Sequence, residues 1–298
     1  MISYNPKDWF TFIFRFHKSD TFRELLPIIV AISVYSAAIC WVETGFLKMD
    51  GDSRLKNLSQ MHSMLSFVIS MLLVFRTNSA YERWWEGRKL WGALMNNSRN
   101  LALKVHALAG DDSRFLHFMG SMIGNYAYAL KSQLRNTFHP QDMEENDRFV
   151  TSEVQHDRHN PNHIAKRMFE VVQQKQKEGG LSNEQLLYLN GELSSFTDIC
   201  GACERIKNTP IPFSYSIFIK KFIFFYVMTL PLTMVFSLGY YCVPVVAFIF
   251  YVLTSLELIA EEIEEPFGKD ENDLPMDAMS RNIRKSVYEI LDLPLKAH

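Results

Sequence analysis

Cysteine is scarce: Cys40, Cys200, Cys203 and Cys242 are the only four among 298 residues. They are too few and too scattered for a disulfide scaffold, and they read as reduced. An excess of one charge is missing too. Thirty-one basic and 33 acidic side chains leave a formal net charge of −2, so no global field draws the chain to nucleic acid. Strand-like alternation is nearly absent and no internal repeat is found, which points to an all-α chain. The aromatic, mixed-charge N-terminus MISYNPKDWFTFIFRFHKSD carries no cleavable signal pattern.

What is present is unevenly spread, and the mean hydropathy of −0.06 hides it. Residues 25–47 hold one charge, Glu43, near their end; residues 58–75 hold no formal charge; residues 222–256 hold none and are broken at GYYCVP, residues 239–244. A bilayer core asks for roughly 20 apolar residues per helix, so these runs predict four transmembrane helices. The alternative for each span is a buried helix of a large soluble core, but so long an uncharged block is hard to bury in a soluble chain of this size. The expected organisation is an N-terminal segment with the first two spans (1–75), a cytosolic helical domain (76–221), the last two spans (222–258) and a cytosolic C-terminal segment (259–298).

Basic residues set the orientation. Lys7, Arg15, Lys18 and Arg23 precede the first span, Arg76, Arg83, Arg88 and Lys89 follow the second, and Lys220 and Lys221 precede the third. Positive charge collects on the cytoplasmic side, which places both termini there in a multi-pass cell-membrane protein. Lys48, Arg54 and Lys56 then fall outside, against the rule, accompanied by Asp50 and Asp52.

Between the second and third spans, KLWGALMNNSRNLALKVHAL and DDSRFLHFMGSMIGNYAYALKSQL have helical apolar spacing, the second opening on helix-starting Asp and Ser. A capping box at Ser182 and Gln185 opens a further helix. Residues 138–163 and the C-terminal EEPFGKDENDLPMDAMS read as loop.

Along the second span, at 100° per residue, Ser59, Ser63, Ser66 and Ser70 form a narrow polar stripe with Met64 and Val68 on roughly the opposite side. The serines either face water or let neighbouring helices pack closely; we favour packing. No charged ring is visible, and a hydrophobic constriction can gate by dewetting.

FRTNSAYERWWEGRKLW, residues 75–91, follows this span directly. Its arginines can snorkel, and Trp84, Trp85 and Trp91 can sit at headgroup level. The pattern of Arg76, Asn78, Arg83, Trp84, Trp85, Glu86 and Arg88 after a hydrophobic helix resembles the signature of bacterial bestrophins. NTPIPFSYSIFIKKF, residues 208–222, is similar to the Ile-Pro segment that enters the family's third span, and EEPFGKDENDLPMD, residues 264–277, is similar to its Pro-Phe-Gly acidic loop.

The resemblance implies a homopentameric ion channel around a central pore, with a hydrophobic neck from the second span and a cytosolic aperture. The family's neck rings map onto Gln60, Met64 and Val68. Gln60 departs from the usual apolar triplet, and Leu72 is the alternative third ring. Ile211 maps onto the aperture, flanked by Pro210 and Pro212, which hold the backbone away from helix. Eukaryotic family members conduct chloride and related anions and bacterial members need not, so the resemblance implies an anion by default while a monovalent cation stays open as the permeant ion.

Asp270 and Asp273 with backbone carbonyls resemble the calcium clasp of animal members. Lys269 stands where the clasp has an acid, and the aspartates otherwise cap turns. His139, His156, His159 and His163 offer an alternative function, a membrane-anchored metalloenzyme, because the last three have zinc-compatible spacing if helical. Asn160 and Pro161 interrupt such a helix. Cys200-Gly-Ala-Cys203 lacks a second pair and reads as helix packing. A structural membrane scaffold is the remaining reading.

Overall fold

The computed structural model describes residues 21–47 and 58–295. The basic residues expected before the first span at positions 7, 15 and 18, and the charged loop of residues 48–57, lie outside the described residues. The described chain is helical: α1 Thr21–Trp41, α2 Leu58–Ala109, α3 Ser113–Leu134, α4 Asn160–Lys177, α5 Asn183–Asn208, α6 Phe213–Thr229, α7 Pro231–Leu238, α8 Cys242–Glu264 and α9 Met276–Ile290. Short 3-10 and π turns fill several joints. The contacts divide the chain into two compact units.

One unit comprises the described residues up to Trp84 together with Pro210–Glu265. Among the described residues, three stretches are long and apolar enough to cross a membrane, starting at Thr21, Ser59 and Phe213. The third is divided where Gly239, at φ 54°, ends α7. That left-handed backbone suits glycine alone, since an added Cβ would be strained even in open space. Side-chain pairs give the directions of the rods. Thr21 Oγ1 donates to Ser255 Oγ at 3.0 Å, while Cys40 lies against Cys242, so α1 and α8 run antiparallel. His62 bonds Thr229 at 2.9 Å, and Tyr215 Oη donates to the Leu72 carbonyl at 3.3 Å, so α2 and α6 do likewise. Between the rods a core of Leu25, Ile32, Ile69, Leu73, Ile223 and Val246 excludes solvent.

The second unit comprises Trp85–Thr209 and residues from Pro266 onward. Its central rod is α3, buried on almost every side and flanked by α4, α5 and α9. Asp112 caps α3 by accepting from Phe115 N at 3.0 Å, and Ser182 and Gln185 cap α5 reciprocally. Tyr126 Oη reaches from α3 to the Phe196 carbonyl at 2.7 Å. Trp91 is fully buried in this unit, which corrects its expected place at headgroup level.

The segment expected to be a solvated loop is in large part pinned. Asn125 holds the Glu144 backbone through both its amide groups, at 2.8 and 2.7 Å, and Arg284 donates to the Asp142 carbonyl at 2.6 Å. Helix α4 starts within it, with Pro161 in the first turn. No helix runs from His156 to His163, because Asn160 and Pro161 occupy the first turn, where proline's missing N–H costs nothing.

An acid-sensitive latch ties α3 to α9. Lys131 Nζ and Arg135 Nη1 meet the Asp277 carboxylate at 3.0 and 2.6 Å. Partial burial opposes ionisation of Asp277, but the hydrogen bonds from Arg135 and then Lys131 outweigh it and hold the acid at about 2, below its ordinary 3.8. The stabilisation is therefore complete above the ordinary value and is lost as pH falls toward 2. Asp277→Asn should lower the melting temperature at pH 7. The difference between variant and parent should close between pH 4 and pH 2, as measured by thermal melts across that range.

Candidate functional site

The face of α2 chosen for the neck is solvent-exposed within the protomer. Met64 is 73% and Val68 45% exposed, with Gln60, Met71 and Phe75 exposed beside them. The opposite face is buried through His62, Ile69 and Leu73. Leu72 differs from the other three neck candidates, since it is partly buried against the apolar core. The serine stripe flanks the exposed face. Ser66 Oγ donates to the Ser63 carbonyl at 2.8 Å and Ser70 Oγ to the Ser66 carbonyl at 2.7 Å, so these two hydroxyls are satisfied by their own helix. A hydroxyl turned back onto its own helix leaves a small, flat surface.

Arg76 does not snorkel. It is 1% exposed, and its guanidinium is held by two acids of α8: Nε lies 3.4 Å from Glu257 Oε1 and Nη2 2.8 Å from Glu264 Oε2. Burying three charges is tolerable only when they are mutually paired, which is what the arrangement provides. Glu264 then extends the chain of contacts. Its other oxygen, Oε1, accepts from the Ile211 N–H at 2.7 Å, and its backbone carbonyl accepts from Arg83 Nε at 3.1 Å. The half-buried Ile211 is thus pinned to the end of α8, and through Glu264 to the arginine that ends the apolar part of α2. Pro212 stands in extended backbone at φ −53° and ψ 127° and turns the chain into α6.

Glu257 and Glu264 were missed in the sequence. Their signal was there: seven residues apart, they share one face of a helix and emerge from the last apolar run just where an arginine emerges from another.

The remaining signature residues have separate tasks. Asn78 is exposed, and Tyr81 stacks on Trp84 at 6.2 Å between centroids. Trp85 and Arg88 are exposed, and Glu86 pairs with Arg205 at 2.9 Å. Gly87 lets the Pro-Phe-Gly loop lie close against α2. A Cβ at position 87 would stand 3.2 Å from both Phe267 and Pro266, tighter than ordinary contact.

The acidic loop closes on itself. Asp273, 2% exposed, accepts from Asp270 N at 2.7 Å and returns its own N–H to the Asp270 carbonyl at 3.1 Å, while Gly268 gives its carbonyl to Arg135. Asp273 acts as a turn staple, with the exposed Asp270 and Lys269 beside it.

The histidines go to different partners. His156 faces Asp157, His159 Nε2 meets Glu204 at 2.8 Å, and His163 Nε2 meets Glu153 at 3.1 Å. His139 lies near Gln141. The metal-compatible group found among the described residues is His159, Cys200 and Glu204. There His159 Nδ1 accepts from Asn162 N and caps α4, which puts the ring proton on Nε2, the atom a metal would need. Burial, then the charge of Glu204, pushes the Cys200 thiol up to about 12.

Antiparallel apolar rods joined by a buried ion cluster define a multi-pass helical membrane protein. Its family follows from sequence. The model of bacterial and fungal bestrophin proteins matches residues 1–289, and the chain belongs to the bestrophin family. A voltage-dependent anion channel-forming protein of Ralstonia nicotianae is 32% identical over 96% of this chain and 93% of its own length. Another so named, from Nostoc, is 36% identical over 76% of each. A bacterial bestrophin homologue from Klebsiella pneumoniae superimposes with a TM-score of 0.80 at 25% identity, over 91% of this chain and all of that one.

Proposed function

We propose that the protein, an ion channel and not an enzyme, is a homopentamer crossing the cell membrane four times per subunit. Its ions pass along the fivefold axis. The observation that carries this reading is the exposed face of α2: an apolar row at Met64 and Val68 left uncovered beside a fully packed opposite face. Copies arranged around an axis give that row a common constriction, and a narrow apolar ring opposes hydrated ions by dewetting. Gln60 and Leu72 bracket the neck, and Ile211 forms the cytosolic aperture. Both termini are cytoplasmic, because Arg76, Arg83, Lys220 and Lys221 gather at the end of the rods where α1 begins and α8 finishes. Relatives named as anion channel-forming make anions the first expectation for the permeant ion.

The test is direct. Detergent-extracted protein should have the mass of five copies, and bilayers containing it should pass current. Reversal potentials under asymmetric salt then give the sign of the permeant ion. A conducting monomer would overturn the assembly.

The aperture has its own test. Ile211→Ala keeps the backbone N–H that Glu264 holds, so the collar should stay in place while its opening widens. Conductance should rise, or discrimination among ions of different size should relax. An unchanged permeability series from correctly assembled protein would remove Ile211 from the pore.

A further inference from the structure

Two of the four cysteines, far apart in the chain, are brought together. Cys40 ends α1 and Cys242 begins α8, and their Sγ atoms lie 2.9 Å apart with both residues fully buried. Both are free thiols, closer than ordinary sulfur contact, and a disulfide closes to about 2.05 Å, so a small adjustment of either side chain joins them. The setting is apolar and tight. Val235 of α7 packs on the pair, with Met234 and Val243 around it, and Cys40 Sγ also approaches the Gly239 carbonyl at 3.8 Å. The pair thus stands where α1, the Gly239 turn and α8 meet.

The same geometry gives the end of the rods on which it lies. The basic residues of α2 and α6 gather with Thr21, Ser255 and Glu257 at one end, whereas Cys40, His62, Thr229 and Cys242 mark the other. Among the described residues 41–47, 58–63 and 229–243 that second end holds no Lys or Arg, and in the sequence between 47 and 58 Lys48, Arg54 and Lys56 are accompanied by Asp50 and Asp52. With the basic end cytoplasmic, the cysteine pair is on the outer side, where disulfides persist. Cys200 and Cys203 belong to the other unit and are buried there.

We infer that Cys40 and Cys242 form a structural disulfide that staples the outer end of the first membrane rod to that of the last. This rests on the orientation proposed above. Formation takes place as the rods assemble, before the pair is sealed from solvent, by exchange with a disulfide-bearing thiol oxidase. One cysteine thiolate attacks the oxidant's disulfide and expels one of its thiols, leaving a mixed disulfide. The second cysteine, as its thiolate, displaces the remaining sulfur. Two protons and two electrons leave the pair, and the oxidant departs as a dithiol. The crosslink ties residues that folding alone brings together across most of the chain, so it narrows the unfolded ensemble and resists splaying of α1 from α8.

The experiment treats intact cells with N-ethylmaleimide to freeze the thiol state, then extracts and denatures the full-length protein and alkylates it before and after reduction. Before reduction two cysteines should take up label, and peptide mapping should place both at 200 and 203. After reduction all four should label, and the peptides containing Cys40 and Cys242 should be joined only in the unreduced digest. Reduction should lower the melting temperature of the parent and leave that of Cys40→Ser unchanged. Four labels before reduction overturn the proposal. A companion variant separates the cause: Asp50→Cys in a Cys40→Ser, Cys242→Ser background should react with a membrane-impermeant maleimide on whole cells. If it reacts while the parent takes four labels, the orientation stands and the disulfide fails. If it does not react, the orientation fails and takes the proposal with it.

Discussion

Arg76→Ala should sharply lower the melting temperature and the yield of folded protein. The substitution leaves Glu257 and Glu264 facing a void, with Glu257 2% exposed. Removing one partner of a buried ion pair costs about 3–5 kcal/mol, because the remaining charge stays out of water without compensation. Set against a total stability of roughly 5–15 kcal/mol, one substitution consumes a large share. The same change frees Glu264, whose Oε1 holds the Ile211 N–H, so any protein that survives should have a looser collar. Replacing the whole charged set should do far less harm. Arg76→Met with Glu257→Leu and Glu264→Gln leaves no buried charge, and the glutamine still offers an oxygen to Ile211. Size-exclusion profiles and melting temperatures of the two variants check this. An Arg76→Ala protein as stable as its parent would show that the cluster contributes nothing to the fold.

Much of the fold was legible because its signals are local. The apolar runs at 25–47 and 222–256, the Asp112 cap and the Ser182–Gln185 capping box each depend on residues within a turn or two. The continuity of α2 was less apparent. Leu58–Ala109 is one helix of 52 residues, yet its composition changes from apolar to charged at Arg76, and a change of solvent reads like a boundary. Nothing in that stretch stops a helix: it has no proline, and its glycines at 87 and 92 cost only propensity. The ion cluster was illegible for a different reason. Arg76 and Glu257 are separated by 181 positions, and only the packing of α2 beside α8 makes the arginine a buried residue instead of a snorkelling one. The cysteines repeat that lesson, since Cys40 and Cys242 gain meaning only once α1 and α8 are antiparallel.

The neck residues should respond in the opposite way to Arg76: shrinking them should raise function. If Met64 and Val68 form a dewetted ring, Met64→Ala with Val68→Ala removes apolar surface from the constriction, and the barrier to hydrated ions should fall. Conductance or open probability should rise, and stability should change little, because both side chains are exposed in the protomer. The serine stripe should behave differently. Ser63 and Ser66 contribute small surfaces, so Ser63→Leu and Ser66→Leu should push neighbouring subunits apart and weaken assembly, while alanine at either position should be tolerated. Cysteine labelling separates the two faces. In a background in which the native cysteines are replaced, a charged thiol reagent should block current through Met64→Cys or Val68→Cys and spare Ser63→Cys and Ser66→Cys. On a helix of 3.6 residues per turn, positions 64 and 66 face nearly opposite directions, so one pore cannot reach both. Block at the serine positions alone would put the stripe in the ion path and move the neck off Met64 and Val68.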